Sequence, residues 1–359
     1  MDGALAYLRD LVAFDTRNGT GDEVACVEWL SGELSRHDPD SLVTETVGRS
    51  RGKPDSAFVL ATWGTPTTLL NVHIDTVPSG EGWTADPLEM IVRDARAYGL
   101  GTSDIKGAAA AILGALDTTG PRNVAVLFTG DEEHGSEVMP AVIAGGHVAG
   151  VQRGVVCEPT ACRVGRAHRG MLAVRADFHG PGGHSSLADE IDAPLLRAAR
   201  FASQLGDYKA ANRAFGHEPF KGLCVNIGDL RSDGAYNVIP TTASAWVSMR
   251  PPPGDDVASR ERDVRAAADA HGAKAETIVA LRPFASRDPS AFAPVFGPDE
   301  IVDLPYWTEA ALLGEAGVNC IVYGPGNLDQ AHRPDEYVEL AQLAAAQSRY
   351  ADVLAGGLS

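Results

Sequence analysis

Cationic side chains are scarce in this sequence: 30 Lys and Arg stand against 48 Asp and Glu, a formal net charge of -18 over 359 residues. That balance repels phosphate backbones and anionic lipid, so neither nucleic acid nor a membrane surface is an expected partner. Cysteine is sparse too. The five thiols (Cys26, Cys157, Cys162, Cys224 and Cys320) are odd in number and form no Cys-x-x-Cys pair. This argues against a disulfide framework and suits a reducing, cytoplasmic compartment. No uncharged apolar run reaches bilayer-spanning length. The opening MDGALAYLRDLVAFDT lacks the basic flank and apolar stretch of a secretion signal. A P-loop G-x-x-x-x-G-K-[ST] is missing, and nucleotide-binding and serine-hydrolase chemistry are set aside.

What is present is apolar material for a large core, 44% of the chain, at a length that favours two domains. Helices are expected over 2–13 and 22–36, the second apolar at Val24, Val27, Leu30 and Leu34. Short, nearly continuous apolar runs follow at 68–73, 124–129, 154–157 and 320–323, the pattern of buried parallel strands. Helical segments at 105–116, 137–144, 308–315 and 335–354 alternate with them, which indicates an α/β sheet covered on both faces. Between 169 and 281 the texture changes. Leu172–Phe178 and Ala243–Met249 alternate as half-exposed antiparallel strands do, with helical patterns at 190–205 and 255–272. The expectation is a larger α/β domain of 1–168 and 282–359 interrupted by a smaller α+β domain over 169–281.

Polar residues gather where the apolar runs end. The first run ends in His73-Ile-Asp75, and the second is followed by Gly130-Asp-Glu-Glu133. The third leads into Glu158-Pro159 and the last into a loop reaching His332, while Asp104 follows the glycine-spaced loop 99–103. Ligands of open α/β sheets collect at the carboxyl ends of strands. Each residue alone has an ordinary explanation as a turn or a helix start, but the set together reads as one site. Imidazole with carboxylate suits Zn, Co or Mn. Cys157 is a further candidate thiol, more simply read as a buried strand end.

The stretches NVHIDTVP (71–78), YGLGTSDIKG (98–107), TGDEEHGS (129–136), CEPT (157–160), GPGGHSS (180–186), NVIPTTASAWVSMR (237–250) and GPGNLDQAHRPDEY (324–337) run through most of the chain. In that order they resemble the family of acetylornithine deacetylase, succinyl-diaminopimelate desuccinylase and glutamate carboxypeptidase. GTSDIKG, TEA (308–310) and GPGNLDQAH are most similar to acetylornithine deacetylases, and 305–337 to acetylcitrulline deacetylases. The resemblance implies a zinc-peptidase-like domain with a mixed, largely parallel sheet, plus an inserted lid that mediates homodimers. It implies two divalent ions, Zn2+ or Co2+, with Asp104 bridging them, His73 and Glu158 on one, and Glu133 and His332 on the other. Asp75 would orient the His73 imidazole and Glu132 would be the general base. His184 would assist the oxyanion, arriving from the partner subunit in dimeric members. Asn237 and Arg250 match positions that hold the substrate's carboxylate, while Gly324 and Gly326 let the backbone approach that carboxylate or simply turn the loop. The peptide bond after Asp104 is often cis in the family.

The implied reaction removes the acetyl group from an N-acetyl amino acid of arginine biosynthesis, N-acetylornithine or N-acetylcitrulline, by attack of a hydroxide held between the ions. Side-chain selection falls to the lid and to 283–307, a segment short for the family. Two rivals remain at this stage. One is a carboxypeptidase, dipeptidase or succinyl-diaminopimelate desuccinylase on the same site; the other is an inactive metal-binding partner protein, against which the presence of Glu132 argues.

Overall fold

The computed structural model describes residues 2–297 and 300–358. Residues 298 and 299, within the 283–307 segment tied above to substrate choice, lie outside the described residues, as do 1 and 359. The chain divides into two compact units, one of Met1–Arg166, Ser286–Leu304 and Thr308–Ser359, the other of Ala167–Ala285 and Pro305–Trp307.

The first unit is built on a mixed sheet. Its strands run in the order Ser41–Val47, Ser56–Trp63, Val124–Thr129, Thr68–His73, Arg153–Val156, Asn319–Val322 and Val164–His168. The four strands from Val124–Thr129 to Asn319–Val322 pair in parallel, and the flanking pairs are antiparallel. The four apolar runs read from the sequence are therefore these central strands, buried on both faces. Alternation divides their side chains: Leu70, Val72, Val126 and Phe128 join one core with the helices Asp2–Ala13, Glu23–Ser35, Lys106–Leu116 and Leu340–Leu354. The helices Val138–Ala144 and Ala310–Glu315 pack against other strands and stay outside that core. Lys106–Leu116 is buried along its whole length. Its small residues let a neighbour come close, since a side chain at Gly114 would meet the backbone of Ala4.

One expected element differs. The segment from 335 is not helical at its start: Tyr337–Glu339 is a strand paired antiparallel with Arg96–Tyr98, and the helix begins at Leu340. The reason is a pairing distant in sequence, which local periodicity does not report. Among the described residues no helix is long and apolar enough to cross a membrane.

The second unit is a four-stranded antiparallel sheet, in the order Cys224–Ser232, Thr242–Arg250, Met171–His179 and Ala273–Leu281. Helices Pro194–Ala211 and Val257–Ala270 cover it around Val174, Phe178, Phe201, Val247 and Val264. Burial alternates along Met171–His179 and Thr242–Arg250, as a sheet with one packed face requires. A short ribbon, Gly183–His184 against Val238–Ile239, completes the unit.

Candidate metal centre

Parallel pairing sets His73 beside Thr129 at the ends of adjacent strands. The chain after Thr129 turns at once into Glu132 and Glu133, and the chain after Arg153–Val156 reaches Glu158. Asp104 follows the 99–103 loop at a cis Asp104–Ile105 bond, just before the helix that starts at Lys106.

Asp104 divides its two oxygens. Oδ1 lies 3.3 Å from His73 Nε2, and Oδ2 lies 3.4 Å from His332 Nε2. Glu158 Oε1 is 3.8 Å from His73 Nε2, and Glu133 Oε1 is 2.7 Å from His332 Nε2. Two ligand triads result, His73–Asp104–Glu158 and Asp104–Glu133–His332, each with its donor atoms within 4.8 Å of one another, and they share Asp104. Glu132 belongs to neither. Cys157 is buried in the core with its thiol toward the Val155 carbonyl, and it belongs to neither triad.

The electrostatics of the cluster are those of crowded, buried acids. Burial pushes Glu158 up to about 8, and burial raises Glu132 and Glu133 as well, with neighbouring carboxylates adding to it. Burial alone would depress His73, but the Glu158 charge and hydrogen bonds with Asp104 and Asp75 lift it well above the ordinary imidazole value. His332 rises to about 10 through its hydrogen bonds to Asp104 and Glu133. Although burial opposes it, contact with both imidazoles holds Asp104 below the ordinary carboxylate range. The acids around them thus draw both imidazoles toward their protonated form. Buried carboxylates with no cation are costly, and divalent ions would displace those protons and relieve the repulsion. The donor set, two imidazoles and three carboxylates, fits that role.

Asp75 does more than its place beside His73 suggested. Its Oδ1 is 3.3 Å from His73 Nδ1 and accepts the Glu132 N–H at 3.0 Å. Its Oδ2 accepts the Glu133 N–H at 3.1 Å and the Asn18 side-chain amide at 2.9 Å. One buried carboxylate therefore fixes an imidazole and the turn that carries both glutamates. Sequence reasoning missed Glu336, whose Oε1 accepts the N–H groups of Ser103 and Asp104 at 2.8 and 2.9 Å, while Oε2 takes that of Gly101 at 3.0 Å. It missed Glu309 as well, buried under hydrogen bonds from Thr129 and Ser136. Both lie inside stretches that carried the family resemblance, TEA and PDEY, which was the available signal. Asn18 had none.

The string Gly48-Arg-Ser-Arg-Gly52 matches G-x-S-x-G. It is a short turn between antiparallel strands, and Ser50 Oγ donates to Glu137. A nucleophile elbow joins a strand to a helix, so this serine is not one.

Gly324 and Gly326 let the His332 loop press onto the site's backbone. A Cβ on Gly324 would meet the Glu158 carbonyl at 2.7 Å, and one on Gly326 would meet Ser103 O at 2.7 Å and Cα at 2.9 Å. Gly326 also has φ +94°, which disfavours any side chain. Gly326→Ala is therefore expected to push the loop away from Asp104, lowering both thermal stability and divalent-ion affinity. Melting curves with and without added Co2+ check this, the ligand-induced rise shrinking in the variant.

The remaining residues lie in the second unit. His184 is exposed on the ribbon. The Ser186 N–H donates to its Nδ1 at 3.2 Å, so Nδ1 accepts and Nε2 is the nitrogen that carries the ring N–H. Asn237 occupies the tip of the 235–238 turn, its carbonyl accepting the Ser185 N–H and its side chain exposed. Arg250 lines a cavity of about 600 Å3 with Lys209, Arg213 and Lys221.

A sheet whose parallel strand ends carry a divided Asp–His–Glu cluster defines a metallohydrolase. The chain belongs to the family described as Peptidase family M20/M25/M40, whose model matches residues 69–356; it is an enzyme acting on amide bonds. Among curated relatives it is 33% identical to the N-acetyl-L-citrulline deacetylase of Xanthomonas campestris pv. campestris, over 94% of each chain. It is 30% identical to the acetylornithine deacetylase of Proteus mirabilis, over 84% of this chain and 82% of that protein. An M20 family metallo-carboxypeptidase from Sulfolobus solfataricus shares the fold with a TM-score of 0.79 and 16% identity, covering 100% of both chains.

Proposed function

We propose that this enzyme removes the acetyl group from an N-acetyl amino acid of arginine biosynthesis, N-acetylcitrulline before N-acetylornithine, with two divalent ions. The observation that carries the two-ion part is the division of Asp104 between His73 and His332. The choice of substrate is supported by the 33% likeness to an N-acetylcitrulline deacetylase along nearly all of both chains.

His73, Asp104 and Glu158 would hold one ion and Asp104, Glu133 and His332 the other, Zn2+ or Co2+. When bound, such ions polarise the scissile carbonyl and acidify water to a pKa of about 7. The chain's own residues do the rest. Glu132 takes the proton released when water attacks and delivers it to the leaving amine. Asp75 keeps the His73 imidazole and the Glu132 backbone in register through the contacts above. His184 offers its ring N–H to the oxyanion, and in a homodimer formed through the second unit the partner subunit's His184 would supply it. Arg250 suits the substrate's α-carboxylate, which a guanidinium can bind in two places, with Asn237 adding a hydrogen bond; Gly324 and Gly326 give the loop its close approach, their own N–H groups being engaged by Thr160 Oγ1 and Gln342 Oε1. The second unit, in this reading, is the lid and dimerisation domain.

The test is a panel assayed after reconstitution with Zn2+ or Co2+: N-acetylcitrulline, N-acetylornithine, N-acetylmethionine, N-succinyl-diaminopimelate and dipeptides. The expected result is the highest kcat/KM on N-acetylcitrulline. Dipeptide hydrolysis at a comparable rate would replace this reading with a peptidase.

A further inference from the structure

Arg49 has no part in the chemistry so far, yet it is buried among acids. Its side chain is 3% exposed, with Nη1 2.8 Å from Asp131 Oδ1 and 3.2 Å from Glu23 Oε1. Its Nε donates to the Pro54 carbonyl at 2.5 Å, and the other oxygen of Glu23 accepts the Ser56 hydroxyl. Asp131 is fully buried in the left-handed region, φ +66°. Its Oδ2 accepts the Glu137 N–H at 2.8 Å, and its carbonyl accepts the Ser136 N–H at 2.6 Å. Lys53 lies further off, 3.8 Å from Asp131 and 3.0 Å from Glu137.

Asp131 immediately precedes Glu132 and Glu133. The turn bearing these two glutamates therefore has two anchors. Asp75 holds their N–H groups from one side, and Arg49 holds Asp131 from the other. The anchors differ in reach. Asp75 also touches His73, so it bears on both ligand triads. Among the described residues Arg49 pairs with no ligand of the His73–Asp104–Glu158 triad; its direct contact with the site runs through Asp131 to Glu132 and Glu133, and only the field of its charge reaches Asp75.

We propose that Arg49 is a positioning residue, acting through Asp131, for the general base Glu132 and for the Asp104–Glu133–His332 cation site, and not for the other site. This rests on the two-ion reading above. Groups that orient ligands without touching the ion commonly change affinity or activity 10- to 100-fold, to order of magnitude. The competing account is a buried charge triad that only supports the fold, and removing one member of such a triad destabilises the whole.

Two variants separate these accounts. Arg49→Lys keeps the charge but loses the planar fork. The triple variant Glu23→Gln/Arg49→Met/Asp131→Asn removes the buried charges together, which spares the fold a lone charge. Co2+ is titrated into the metal-free full chain, followed by visible absorption and calorimetry, with urea melts alongside. In both variants one Co2+ is expected to bind at least ~10-fold more weakly while the other stays within about threefold. On the best substrate of the panel, kcat is expected to fall by about 10- to 100-fold with KM little changed. Two unchanged Co2+ sites would overturn the proposal, as would equal weakening of both in step with lost stability. A parent chain that takes up fewer than two Co2+ would strike the two-ion reading itself.

Discussion

Glu132→Gln is expected to lower kcat by about 10³-fold, within the range for loss of a positioned acid–base group, while uptake of both ions and the melting temperature are retained. Glu132 is in neither ligand triad. What fixes its backbone is its N–H bonded to Asp75 Oδ1, and the substitution leaves that bond in place. Glutamine has the same shape but cannot accept and return a proton. KM should change little, because the lost interaction operates only as the proton moves. Steady-state kinetics and metal analysis on one preparation check both halves. An unchanged kcat would remove Glu132 from the mechanism, and would revive the alternative of a metal-binding protein whose acids serve only structure.

Asp104→Asn is expected to do more damage, of a different kind. An amide has one acceptor oxygen where the carboxylate has two, and here the two oxygens face different histidines. The amide's NH2 would point at one ion, and the negative charge shared by both ions would be lost. Both Co2+ affinities should fall by more than about 100-fold, beyond what residues that merely orient ligands usually cost, with activity falling below detection. Calorimetric titration of the metal-free variant measures this. The metal-free protein should be destabilised as well, since Asp104 there lies against both imidazoles as their shared counter-charge.

These two residues and their neighbours were legible in the sequence for a physical reason. Parallel strands buried on both faces leave apolar runs with sharp ends, and polar residues at those ends have few places to go but the sheet's carboxyl edge. His73, Glu133 and Glu158 show themselves that way. The family resemblance was needed to propose a bridging place for Asp104 and a metal for His332. The supporting acids were harder to see. Glu336 lies where the chain was expected to begin a helix, and the strand Tyr337–Glu339 exists only because Arg96–Tyr98 is there to pair with it. Glu309 and Arg49 make their contacts with residues far away in the sequence, so no periodicity marks them, and only Glu309 lay in a stretch that carried the resemblance.

The central claim is that Asp104 sits between two divalent ions. Crystals of the full chain grown with Co2+ or Zn2+, with diffraction recorded on either side of the metal's absorption edge, test it most directly. The expected result is two anomalous peaks per chain, one among His73, Asp104 and Glu158 and one among Asp104, Glu133 and His332. A single peak, or a pair that leaves Asp104 outside the coordination of either, would contradict it.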